Sequence, residues 1–151
     1  MPWEEGEAPN GFTTGTPWLP VKAPQAALNA AGQEAAPASL LAFSRRLLAW
    51  RKSQEALIDG DIAFFNTAEP VLAFRRSAES GDLLCVFNLS PQDLTVTVAG
   101  LGEAVEPEAV SERASLKGRK LTLGPNGFAF IPEPAGEVAK VTFTRRGLKR
   151  A

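Results

Sequence analysis

Two pairs of carboxylates stand at spacings that bring acids together. Asp59 and Asp61 flank Gly60, and Glu106 and Glu108 are separated by one proline. A pair of carboxyl groups in one site can divide the roles of general acid and general base. Each pair also has a simpler reading. Asp-Gly-Asp is turn chemistry, because Asp hydrogen-bonds to nearby backbone and Gly takes dihedral angles closed to other residues. Glu103, Glu106, Glu108 and Glu112 share a polar, Pro-containing stretch that reads as a solvated acidic loop. The structural reading is preferred for both pairs, and no catalytic residue is assigned.

Much other chemistry is removed by composition. The 151 residues contain no histidine, which excludes Ser-His-Asp and Cys-His nucleophilic sites and His-ligated zinc. A single cysteine, Cys85, excludes an intrachain disulfide and a cysteine cluster for zinc. Set between Leu84 and Val86, it reads as a small buried hydrophobe rather than a reactive thiol. No cofactor and no metal are expected. Gly124-Pro125-Asn126-Gly127 lacks the Lys-Ser/Thr of a phosphate loop and reads as a hairpin turn. Sixteen basic against seventeen acidic side chains leave a net charge of -1, so neither nucleic acid nor a membrane is expected as partner. Lys140, Arg145, Arg146, Lys149 and Arg150 crowd the C-terminal end without the interleaved aromatics of a single-strand groove. That segment reads as a solvated tail. There is no apolar run of about 18 residues. The opening MPWEEGEAP is acidic and Pro-rich, unlike a secretory leader. A cytoplasmic location is the default expectation.

The elements that must position these residues follow from periodicity. With 44% apolar and 22% charged residues, the chain has the balance of a soluble globular protein, one domain or one domain with a fragment of another. Residues 1–36 are broken by Pro2, Pro9, Pro17, Pro20 and Pro24 and by four glycines. They read as a long irregular segment. Trp3, Phe12, Trp18, Leu19 and Val21 make it too apolar for a linker, so it should pack against something. Residues 37–57 predict one amphipathic helix, starting with Pro37 in its first turn and stopping before Gly60. Leu40, Leu41, Phe43, Leu47, Leu48 and Trp50 share one half of its wheel. Arg51 projects near the centre of that stripe and is expected to cross an interface between the helix and the following sheet.

From residue 61 the period becomes 2. Alternating or continuous apolar runs at 62–65, 72–74, 82–88, 94–98, 121–123, 128–130 and 141–143 predict seven short strands with turns between them. The run 82–88 is apolar on both faces, as in a central strand. The fold class expected is mainly β, an antiparallel Greek-key β-sandwich with one N-terminal amphipathic helix and a long irregular N-terminal segment. Three parts are expected: 1–57, 58–135 as the sandwich, and 136–151 as an extra strand with the basic tail.

Three stretches together carry a resemblance. MPW at 1–3 with NGFTTGTPWLPV at 10–21, PASLLAFSRRLLAWRK at 37–52, and EPVLAFRR with DLLCVFNLS across 69–90 follow in order and spacing. This resembles the C-terminal portion of α-glucosidases of glycoside hydrolase family 13, over about residues 1–132. Residues 1–57 then resemble the last loop and helix of a (β/α)8 barrel, and 58–135 its C-terminal β-sandwich. Glu4 departs from the Asp that the family usually carries there, and residues 136–151 run past the expected end of the sandwich.

The resemblance implies hydrolysis of terminal α-linked glucose as the family activity. It also implies that the nucleophile and acid/base carboxylates belong to earlier barrel strands, outside these 151 residues. Retaining hydrolysis sets two carboxyl groups roughly 5–5.5 Å apart. The chain alone is therefore expected to be inactive and structural, with an α-glucoside or maltooligosaccharide bound only together with a barrel. Phe12 and Thr13 are placed by the resemblance at the rim of the substrate pocket. Trp3 and Trp18 either stack on sugar rings or, as the commoner use, anchor the loop. An apolar helix stripe left open at ~25 cal/mol per Å² is costly, so self-association through residues 38–57 is expected. The alternative function is a non-catalytic carbohydrate-binding module, which requires coplanar exposed rings.

Overall fold

A computed structural model describes residues 1–7, 9–101, 105–133 and 140–143. The chain divides into two compact units, Met1–Trp50 and Arg51–Ala151.

In the first unit the segment expected to be irregular holds two short helices, α1 (Ala23–Ala26) and α2 (Ala30–Ala35). Asn29 starts α2, its Oδ1 accepting from the Gly32 N–H at 2.7 Å. The residues ahead of α1 are pinned from two sides. The N–H groups of Ala30 and Ala31 donate to the carbonyls of Pro2 and Trp3. The N–H groups of Trp3 and Glu4 both donate to the Asn10 carbonyl, and Asn10 Nδ2 donates to the Gly6 carbonyl at 2.6 Å. Asn10 is buried and takes a left-handed φ of 53°, a conformation that Asn tolerates better than most residues.

The long helix, α3, spans Leu40–Lys52, shorter than the predicted 37–57. It starts three residues later because Ser39 caps it: Ser39 Oγ accepts from the Ala42 N–H at 3.1 Å. It ends where Ser53 turns and Gln54 becomes extended, and the chain re-enters a single helical turn, α4 (Glu55–Ile58). No residue of α3 is buried.

The second unit is an antiparallel sheet of seven strands: β1 (Asp61–Phe64), β2 (Val71–Ala78), β3 (Gly81–Asn88), β4 (Leu94–Ala99), β5 (Glu112–Lys117), β6 (Lys120–Glu133) and β7 (Lys140–Thr142). The order is β1-β2-β3-β6-β4-β7, with β5 also on β6. The crossover from β3 to β6, past β4 and β5, is what makes the layers. The long strand β6 pairs with β3 through its second half, Phe128 to Glu133. Its first half, Lys120 to Leu123, pairs with β4. The sheet therefore curls, and its two ends enclose one core. Val71, Ala73, Leu84, Val86, Ala129 and Ile131 come from one end, and Val96, Val98, Leu121, Leu123 and Val141 from the other. This is the mainly-β, sandwich-like antiparallel fold expected.

Two details differ from the sequence reading. Gly124-Pro125-Asn126-Gly127 is no hairpin turn but a distortion inside β6. Across it β5 advances from Glu112 to Ala114 while β6 runs from Phe128 to Leu123, so β6 must bulge. Arg113, with a left-handed φ of 54°, sits opposite and donates from Nη1 to the Pro125 carbonyl at 2.7 Å. The second difference is β5 itself. ERASLK alternates only weakly, with Ala114 and Leu116 turned to the core, and was hidden in the acidic stretch; it forms by hairpin closure around Gly118 onto β6. Phe143 packs against the core from just beyond β7. Arg145, Arg146, Lys149 and Arg150 of the basic tail lie outside the described residues, as does Glu103.

Candidate functional site

The paired carboxylates lie in a helix-to-strand turn and in the loop before β5. Asp59 is the C-cap of α4, and Asp61 opens β1. Gly60 between them is held so closely that a Cβ there would stand 2.5 Å from the carbonyl oxygens of both Ala56 and Ser77. The turn needs glycine. Arg76 on β2 clamps the same corner, donating to the Ala56 carbonyl at 2.9 Å and to the Gly60 carbonyl at 2.7 Å. Asp59 and Asp61 line a shallow cleft of about 490 Å³ with Glu55 and Glu79. Among the described residues no group of three or more His, Cys, Asp or Glu is poised to hold a metal. Glu108 belongs to the loop before β5, where its N–H donates to the Phe130 carbonyl and its carbonyl accepts from Ser111.

Arg51 does not reach across to the sheet in its recorded hydrogen bond. Its Nη2 donates to the Leu57 carbonyl at 3.0 Å, so it ties α3 to the end of α4, where a cation also suits the helix dipole. Cys85 is fully buried, and burial pushes its thiol up to about 12. An inert buried thiol is the outcome the apolar neighbours implied.

The aromatic residues fall into two groups. In the first unit Phe12 and Trp18 line a cleft of about 640 Å³ together with Met1, Pro2, Lys22 and Gln25. Thr13 follows Phe12 but is not part of that lining; its Oγ1 accepts from the Gly15 N–H at 3.1 Å, closing a local turn. Trp18 is 92% exposed. In the second unit the outward faces of β1, β2, β3 and β6 carry a row of rings. Phe64 meets Phe74 at a 56° tilt. Phe74 stacks on Phe87, and Phe87 on Phe128, with centroids 5.8 and 5.9 Å apart. Stacked rings turn their faces to one another, whereas a sugar platform needs a free ring face. The row is cross-strand packing.

One buried ionic cluster escaped the sequence reading. Arg75 on β2 donates to Glu133 at the end of β6, from Nε to Oε2 at 2.8 Å and from Nη2 to Oε1 at 3.2 Å. Asp82 on β3 is 3.6 Å away. The Glu133 side chain is fully buried and Arg75 nearly so. The bidentate bond to Glu133 raises the affinity of the Arg75 guanidinium for its proton further. Arg75 shares the inward face with Ala73 and Val71 by period 2, which was the available signal. The 58 residues separating Arg75 from Glu133 hid the pairing.

Comparison with known proteins agrees with the geometry. Residues 1–60 match the family model "Alpha amylase, catalytic domain". A probable alpha-glucosidase of Rhizobium meliloti is 40% identical over 95 residues, which are 63% of this chain and 17% of that protein. A glucan 1,6-alpha-glucosidase of Streptococcus pneumoniae is 31% identical over 125 residues, 83% of this chain and 23% of that protein. The crystal structure of the alpha-glucosyl transfer enzyme XgtA superposes with a TM-score of 0.81 at 36% identity, over 88% of this chain and 25% of the other. The trehalulose synthase MutB from Pseudomonas mesoacidophila gives 0.72 at 27%, over 91% and 24%. The chain thus spans about a fifth of the length of the curated relatives it matches. By sequence and by fold it is similar to part of the enzymes of the α-amylase family, glycoside hydrolase family 13, with α-glucosidases among those relatives.

Proposed function

We propose that these residues serve as the C-terminal part of an α-glucosidase-type glycoside hydrolase, with residues 1–57 completing a catalytic barrel and the β-sandwich supporting it. The enzyme so completed hydrolyses terminal α-linked glucose; the 151 residues by themselves are structural and inactive. The observation that carries this reading is the order of the two matches. A catalytic-domain match at 1–60 runs into a sheet whose fold, with the first segment, is shared with XgtA over most of the chain. Phe12 and Thr13 are the pocket-rim residues of this reading, and the ligand of the completed enzyme is an α-glucoside or maltooligosaccharide. The stacked phenylalanines of the sheet speak against a carbohydrate-binding module.

The test is an assay of p-nitrophenyl α-glucoside, maltose and isomaltose with two proteins. The purified chain is expected to give no turnover above buffer. The chain joined to the part of the Rhizobium meliloti relative that lies outside the matched segment is expected to hydrolyse at least one of the three. Turnover by the chain alone, abolished by Asp59→Asn or Glu108→Gln, overturns the reading.

A further inference from the structure

The tetrapeptide Pro-Asn-Gly-Phe occurs twice, at residues 9–12 and 125–128. The chain's other asparagines, Asn29, Asn66 and Asn88, precede Ala30, Thr67 and Leu89. An asparagine followed by glycine is the pair most open to loss of its side-chain amide. The main-chain nitrogen of the glycine attacks the asparagine Cγ, and glycine has no Cβ to obstruct the approach. An N–Cγ bond forms, the Cγ–Nδ2 bond breaks, and ammonia leaves with the proton of the glycine amide. Water then opens the five-membered succinimide at either carbonyl, which leaves aspartate or isoaspartate. With the same neighbours on both sides, the two copies share one intrinsic reactivity, and only their surroundings separate them.

The backbone demands both copies. Asn10 and Asn126 take left-handed φ angles of 53° and 52°, which asparagine tolerates better than most residues. A Cβ at Gly11 would stand 2.9 Å from the Glu4 carboxyl carbon. One at Gly127 would stand 2.9 Å from the carbonyl oxygens of Arg113 and Gly124. The fold thus retains a labile pair at each place.

Asn10 is 3% exposed. Its Nδ2, the atom that must leave, donates to the Gly6 carbonyl at 2.6 Å and to the Glu4 carbonyl at 3.4 Å. The Phe12 N–H donates to the Pro9 carbonyl at 3.1 Å, which closes the turn around the reacting atoms. Swinging Cγ toward the Gly11 nitrogen breaks the Nδ2 bonds, and burial keeps hydrolytic water away. Asn126 is exposed. Its N–H is tied to the Ser90 carbonyl at 2.9 Å. The pairing of β6, however, stops at Leu123 and resumes at Phe128. Residues 124–127 therefore lie outside the ladder and can open locally without parting the sheet.

We propose that Asn126 is a modification site of the folded protein, converted through a succinimide to aspartate and isoaspartate, and that Asn10 is kept intact by its buried hydrogen bonds. The conversion places a new negative charge in the bulge of β6 and, in isoaspartate, one more main-chain carbon.

The experiment is peptide mass spectrometry on the 151-residue chain after incubation in warm, mildly alkaline buffer, with and without urea. Trypsin separates the two asparagines into peptides 1–22 and 121–140, neither of which contains a second asparagine or a glutamine. In the folded chain, peptide 121–140 is expected to exchange its amide for a carboxyl, with isoaspartate among the products, roughly tenfold or more faster than peptide 1–22. In urea the two rates are expected to converge. Equal rates in the folded chain overturn the proposal. So does change of both peptides in urea with neither changing when folded, which shows the bulge to be as protective as the buried turn. A difference that persists undiminished in urea also overturns it, because residues farther along the sequence then set the rates.

Discussion

The two units of this chain spend their apolar residues in opposite ways. Every buried hydrophobic residue among those described, from Ala56 to Val141, belongs to the second unit. The first unit buries Pro2, Asn10 and Asn29, yet exposes Met1, Trp3, Phe12, Trp18, Leu19, Leu28, Leu40 and Leu48. The strands of the second unit curl so that one apolar face meets another. Helix α3 has an equally apolar stripe and, within its own unit, no surface that buries it. An apolar pattern specifies that a face will be covered; it does not name the cover.

This contrast can be broken experimentally. The largest expected difference is in local stability, since buried apolar contact is what resists opening. Amide hydrogens of β3 and β6 should exchange several orders of magnitude more slowly than those of α1, α2 and the first half of α3. Equal protection by hydrogen-exchange mass spectrometry would dissolve the distinction between the units.

Next comes the ionic cluster. Glu133→Ala leaves the Arg75 guanidinium buried without its bidentate partner. Losing one member of a buried pair costs about 3–5 kcal/mol, so urea denaturation should show most of the second unit's stability gone. Replacing the exposed pair in the first unit, Glu34 with Arg45, should leave the midpoint where it was.

The same comparison works for aliphatic residues. Leu84→Ala removes a fully buried side chain from the shared core and should cost about 2–5 kcal/mol. Leu40→Ala, at 72% exposure, should stay within about 0.5 kcal/mol. A matching loss at both sites would mean that the helix stripe is covered in the isolated chain.

The smallest effect is alkaline. The Cys85 thiol is raised to about 12 by burial, against about 8.5 in an unfolded chain. The folded state therefore holds its proton while the unfolded state releases it. Stability from this source is intact below about pH 8.5 and declines as the pH rises toward 12. Denaturation at pH 8 and pH 10.5 should show a larger fall for the parent than for Cys85→Ala. In the native state at pH 8, a thiol reagent should leave Cys85 unmodified.

How much of this was legible depended on the range of the interaction. The run 82–88 declared itself a central strand because both of its faces are apolar, and Leu83, Leu84, Cys85 and Val86 are indeed all buried. The hairpins at Ser80-Gly81 and Lys117-Gly118 close on glycines with positive φ, because a turn is decided by a few adjacent residues. Gly124-Pro125-Asn126-Gly127 carried equally good turn chemistry and was overruled by pairing on both sides, with β4 and β5 at Leu123 and β3 at Phe128. The helix was legible in kind and misjudged in extent, since Ser39 outcompeted Pro37 as the starting point. Of the aromatic loop, Phe12 lines a cleft of its own unit, while Thr13 turns to its own backbone.

What the sequence determined by itself was the alternation of apolar residues, the turn residues, the inert thiol and the exclusion of histidine chemistry, all set by side chains within a few positions of one another. What the tertiary structure decided was which strand neighbours which, that β6 runs through its bulge, and that Arg75 meets Glu133. Those outcomes rest on pairings between residues tens of positions apart. Each wins only when the chain as a whole closes its core, and no local stretch records the result.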